Sequence, residues 1–191
     1  MRRRQIAISV MMCGAWILLA ACSSPSSAEP ASSASAPEAS AAAATSPSAS
    51  TSATAGNFDS CSVVTQAEAA NALGQSVTPG VLGNATVEGG LACVFYGPSA
   101  PTPRDPNVAQ ADSVRVVVVH GPNALAWYQD YKSKVSAQSV TGYGDQAYYD
   151  GYASLSVLKG SYYLRVAVAP AGAPPSLVAE KQLATAILPK L

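Results

Sequence analysis

The chain has 191 residues, 49% of them hydrophobic, with 11 Lys and Arg balanced by 11 Asp and Glu for a formal net charge of +0. That balance argues against nucleic acid as a partner, because no basic stripe is present to neutralise phosphates. With 1 His and 4 Cys there is no clustered ligand set for a metal ion, and no cofactor is expected.

Arg2, Arg3 and Arg4 open the chain, and an apolar run follows from Ile6 to Ala20. A basic start and a short apolar stretch predict a secretory signal over residues 1–21, too short for a permanent spanning helix. The run closes on Leu19-Ala20-Ala21-Cys22. This resembles a bacterial lipobox, with a Leu, two small residues and a Cys in order. The resemblance implies that the Cys22 thiol is acylated, that the signal is removed and that the mature chain begins at a lipid anchor. Each buried methylene contributes about 0.8 kcal/mol, so several acyl chains give stable attachment to a membrane. Residues 22–56 then read as the lipidated Cys and a tether. From Ser23 to Gly56 the chain is nearly all Ala, Ser, Thr and Pro, with no aliphatic side chain larger than Ala. Such a segment cannot bury enough apolar surface to offset the entropy of ordering, so a disordered spacer is expected. As a coil it spans on the order of 30–35 Å. Its Ser, Thr and Pro content also suits O-glycosylation.

At Asn57 the composition changes, and residues 57–191 suffice for one globular domain with a single core. Cys13 falls in the predicted signal and Cys22 would, on the lipobox resemblance, carry lipid, which leaves Cys61 and Cys93. Outside the cytosol such a pair is expected to form a disulfide. Closing a loop of about 30 residues stabilises by roughly 3–4 kcal/mol.

Residues 65–73 predict a first helix, with Thr65 as cap, Glu68 completing a capping box and Gly74 as the stop. Residues 92–96 predict a short strand. Residues 97–110, with Pro98, Pro101, Pro103 and Pro106, predict a long surface loop. Residues 113–120 give the strongest strand signal, and the unbroken run Val116 to Val119 predicts burial on both faces or a central position. A helix over 124–135 follows, with Lys132 and Lys134 placed to suit its C-terminal dipole. Residues 146–150, 153–158 and 161–169 read as three strands joined by tight turns at Asp150-Gly151 and Lys159-Gly160. Residues 176–188 predict an amphipathic helix whose apolar surface includes Leu177, Val178, Leu183 and Ile187. The segment Val114 to Val119 echoes Leu164 to Ala169, each preceded by a strand ending in Gly and followed by a helix. The expected fold is therefore α+β: a mainly antiparallel sheet with helices packed on one face, organised as a ββα internal pseudo-repeat.

The lipobox, the Ser/Ala tether, the segment from Cys61 to Gly74, the second Cys before an aromatic strand at Cys93 to Tyr96, and Gly142-Tyr143-Gly144-Asp145-Gln146-Ala147 together carry a family resemblance. The chain resembles an actinobacterial lipoprotein with the domain of unknown function 3558. The resemblance covers residues 58–191 and implies an envelope location without assigned chemistry.

Among candidate site residues, His120 ends the strongest strand, and no Gly-x-Ser-x-Gly elbow accompanies it, so it reads as a rim residue. Asp145 reads as a partner for turn amides. Arg115 and Arg165 hold matching places in the echo. Either they meet on one sheet face and bind an anionic head group, or they are solvated or paired with Asp or Glu. Six tyrosines crowd between Tyr143 and Tyr163. Alternation puts Tyr148 and Tyr149 on opposite faces, and likewise Tyr162 and Tyr163. Half should be core, and Tyr143, Tyr149, Tyr152 and Tyr163 are candidates for an exposed aromatic patch.

The expected function is a non-enzymatic binding or accessory module on the outer face of the plasma membrane. It would be attached through its lipid and would recognise an envelope protein, glycan or lipid. A carrier of an apolar ligand, held between helices and sheet, is the alternative, and a hydrolase-type enzyme comes third. An enclosed apolar pocket of several hundred Å³ favours the carrier, a flat tyrosine-rich face the module, and convergent polar groups in a cleft the enzyme.

Overall fold

The computed structural model describes residues 58–191; the signal predicted at 1–21 and the lipidated Cys22 and tether at 22–56 lie outside the described residues. Seven strands form one sheet: β1 (Val81–Ala85), β2 (Gly90–Tyr96), β3 (Ser113–His120), β4 (Gln138–Ser139), β5 (Gln146–Tyr149), β6 (Leu155–Lys159) and β7 (Tyr162–Ala169). Their order across the sheet is β1-β2-β3-β7-β6-β5-β4, antiparallel throughout. The helices are α1 (Gln66–Leu73), α2 (Ala124–Ser133) and α3 (Leu177–Ile187). Among the described residues no helix is long and apolar enough to cross a membrane.

The local signals act as their chemistry dictates. Thr65 and Glu68 close a capping box on α1, and Gly74 ends it at φ 77°, a conformation that only glycine adopts without cost. Ser176 caps α3 through the Ala179 amide. Cys61 and Cys93 are bonded, with Cα atoms 4.9 Å apart, and tie the 3-10 turn Ser60–Val63 to β2.

The α+β class and the antiparallel sheet stand, but the helices do not share one face. Val114, Val116 and Val118 of β3 pack with Leu164, Val166 and Val168 of β7 under Leu73 of α1 and Leu183 and Ile187 of α3. Val117, Val119 and Tyr163 point the other way and pack with Ala124 and Tyr128 of α2. The sheet centre is therefore covered twice, which is why Val116 to Val119 is apolar without alternation. This arrangement also overturns the ββα repeat. The echoed strands do lie side by side, with Val116 opposite its counterpart Val166. A twofold through that pair would leave α2 and α3 on the same face, and they are on opposite ones.

Two further differences concern turns and edges. The connection at Asp150 is not a two-residue turn. It spans residues 150–154, with the Asp150 carboxylate accepting from the amides of Tyr152, Ala153 and Ser154 at 2.9, 2.7 and 3.0 Å. β1 and β4 were not expected from the sequence, since Gly83 and Asn84 are poor strand formers and β4 has 2 residues.

Candidate functional site

The face that carries α2 is only half covered by that helix. The Pro-rich loop, residues 97–112, covers the β1–β2 half. A seam runs between them, and the candidate site lies there.

The loop is held at its base and at its tip. At the base, Gly97 N donates to Asp112 O at 2.8 Å and Ser99 N to the Asp112 carboxylate at 2.6 Å. Asp112 is fully buried at φ 56° and also accepts from Gln75. At the tip, Arg115 Nε donates to Pro106 O at 2.9 Å, Arg115 NH2 donates to Asn107 O at 3.2 Å, and Thr86 N donates to the Asn107 side chain at 2.9 Å. Pro106 also packs onto Gly83 where a Cβ would stand, so β1 needs glycine at that point. The loop is thus ordered by its scaffold, as recognition loops are.

An ion network forms the floor of the seam. Arg115 and Arg165 lie on one face of β3 and β7 and converge on Glu88, from the β1–β2 turn. Arg115 grips both carboxylate oxygens, at 2.7 and 3.1 Å. Arg165 also donates to Ser154 Oγ at 2.8 Å and to Tyr131 Oη, and its guanidinium carbon sits 3.9 Å from the centre of the Tyr131 ring. The Asp150 carboxylate lies 3.5 Å from Arg165 and accepts from Tyr131 Oη at 3.2 Å and Ser154 Oγ at 2.5 Å. Burial works to raise the Glu88 carboxyl, but the hydrogen bonds and charges of the two arginines outweigh it and hold it below its ordinary value. Asp150 is likewise held low, with burial outweighed by hydrogen bonds from Ser154, Ala153 and Tyr152. Two cations therefore face two anions, and every guanidinium nitrogen of Arg115 and Arg165 already has a partner. Of the two expectations for these arginines, pairing with acids is the one realised. The network fixes architecture, and no free cation is left in it for an anionic head group.

The tyrosines do not form one patch. Tyr148 and Tyr163 are core, together with Tyr128, and burial pushes the Tyr128 and Tyr148 phenols up to about 12 and Tyr163 well above its usual value. Tyr163, expected at an exposed patch, is 1% exposed and offers no surface to a partner, because its parity on β7 turns it under α2. Tyr143 is half-buried on the α1 and α3 face, and Tyr149 is half-buried beside α3. Tyr162 stacks on His120 at 4.3 Å between ring centres, with Phe58 edge-on to both, and His120 is exposed at the strand end as expected. Tyr152 alone of the six stands out, at 80% exposure. Asp145 accepts from Gly160 N at 2.7 Å, a turn-amide role.

Val87, Val108 and Tyr152 are the large exposed hydrophobics along the seam. A cavity of about 220 Å³ is lined by Val87, Val108, Ala109 and the ion network. A second of about 180 Å³, lined by Ala109, Ala111, Tyr152, Ala169, Pro170 and Pro175, continues it to the end of the sheet. Both are smaller than the roughly 300–1,000 Å³ of sites that enclose small organic ligands. The sequence reading missed Glu88 and Asp150 as the partners of the arginines, because both sit in turns where periodicity carries no information. It also missed Glu180, a buried member of the α3 stripe that runs through Leu183, Ala184 and Ile187. Helical spacing was the available signal.

Comparison with protein-family models, curated proteins and solved structures finds no match to this chain.

Proposed function

We propose that the chain is an envelope lipoprotein, similar to those with the domain of unknown function 3558, whose globular domain is a non-enzymatic module that binds another envelope protein. The lipobox at Cys22 supports attachment to the outer face of the plasma membrane. One observation carries the binding reading. Val108 and Tyr152, 47% and 80% exposed, rim a shallow seam on loops whose backbone is held by hydrogen bonds to Asn107, Asp112 and Asp150. A backbone already held in place reduces the ordering cost of association, and an exposed aromatic side chain on it suits an interface anchor. The chain enters the domain at Phe58, against His120 and Tyr162, while Tyr152 lies at the Ser113 and Ala169 end of the same strands. Eight residues of strand separate these ends by roughly 25 Å. Tyr152 thus lies at the end of the sheet opposite Phe58. The shallow seam supports a protein partner over the carrier reading, and the engaged arginines support it over a lipid head group.

The test uses full-length protein immobilised and exposed to solubilised envelope proteins of its host. The double variant Tyr152→Ser, Val108→Ser should lose a partner that Tyr143→Ser, on the other face, retains. Retention of the same partners by the double variant, or capture of lipid or glycan alone, would overturn the reading.

A further inference from the structure

Glu180 is fully buried on α3. Its Oε1 accepts from Val168 N at 3.4 Å, and its Oε2 has no hydrogen-bond partner. Sheet topology explains the position. The last β6–β7 pair is Leu155 with Val166, so beyond it β7 has no strand on that side. Val168 faces this gap, where its N–H meets Glu180 and its carbonyl accepts from Ser176 N at 3.2 Å. The first turn of α3 thus stands in for a strand. The ionisable groups whose charges reach Glu180 are Asp150 from the β5–β6 turn, which repels its anion, Arg165 of β7, which attracts it, and Tyr149 of β5. Glu68 of α1 and Lys159 of β6 are engaged elsewhere, with Lys190 and with Leu188 O. Burial pushes the Glu180 carboxyl up to about 7.

We propose that the first turn of α3 is a proton-controlled latch: protonated Glu180 seats residues 170–180 against Val168, and ionised Glu180 releases them. An ionised Glu180 would leave Oε2 as a buried charge with no donor, and local opening returns it to water. Pro170 and Pro175, which lie in the released segment, and Ala169, which borders it, wall the Tyr152 end of the seam. The effect on the seam rests on the binding reading above, but the latch itself does not.

Hydrogen exchange of the full chain, without partner and corrected for intrinsic rates, tests the latch at pH 6 and pH 8. If the open state has an ordinary carboxyl, opening across residues 168–183 should rise about tenfold between these values. In Glu180→Gln, which keeps the shape and the acceptor for Val168 N, the rise should vanish. Equal protection of the native protein at both pH values overturns the latch, as does an unchanged rise in the Gln variant. Because no partner is present, failure here leaves the binding test to stand or fall separately.

Discussion

Glu88 shows how much of this domain depends on one side chain. It is 1% exposed and is the shared counter-ion of Arg115, 3% exposed, and Arg165. Replacing one member of a buried ion group leaves an uncompensated charge, so Glu88→Ala should cost about 3–5 kcal/mol in urea denaturation. A loss below about 1 kcal/mol would mean that water solvates the arginines. The same residues set a pH dependence. Glu88 and Asp150 have folded values depressed below the unfolded ones, so the stability that they contribute is present at neutral pH and lost as pH falls through 4.5 and 3.8 and below. Glu180 has the opposite sign. Its folded value near 7 lies above 4.5, so its contribution is full below 4.5 and is lost as pH rises through 7. Denaturation from pH 3 to 9 should therefore give a maximum on the acid side of neutrality, and Glu180→Gln should flatten the alkaline limb. The tyrosines divide in the same experiment. Tyr152→Ser should stay within about 0.5 kcal/mol of the native protein, as exposed substitutions do. Tyr163→Ser should cost roughly 3–5 kcal/mol, as buried aromatic truncations do.

At the scale of elements, legibility followed the length and regularity of the signal. β3, β7, α1 and α3 were readable because β-branched runs and caps mark them directly. The matching places of Arg115 and Arg165 in the echo suggested that they meet on one sheet face, and they do. Their counter-ion was hidden because Glu88 follows β1, whose Gly83 is required by the packing of Pro106 and whose Asn84 weakens the strand pattern. Contact with a distant loop leaves no local trace in sequence. The disulfide was legible by elimination of the other cysteines, and it joins an N-terminal turn to β2 across a separation of 32 residues. Cys61→Ser with Cys93→Ser should lower stability by about 2–5 kcal/mol relative to the oxidised protein, read from the urea midpoint. An unchanged midpoint would mean that the Ser60 side chain, bonded to Leu91 O and to Val118 N, suffices to hold this turn.

For the molecule as a whole, the sequence carried two conflicting indications about layers. The echo suggested helices on one face, while the unbroken Val116 to Val119 run suggested two covered faces. The second was the better guide, since side-chain parity within a strand reports directly which faces are buried, whereas a ββα succession leaves open the side to which its helix returns. Placing α2 on the second face is what creates a seam against the Pro-rich loop, with Tyr152 at its far end. We propose that this end of the domain meets a protein partner. A photo-crosslinking amino acid in place of Tyr152, in the full-length protein expressed in its host, tests that claim most directly, with the same group at Ser161 as a control at the end where the chain enters. A discrete protein adduct is expected from position 152 and none from 161. No protein adduct at 152, or an identical adduct from both positions, would contradict it.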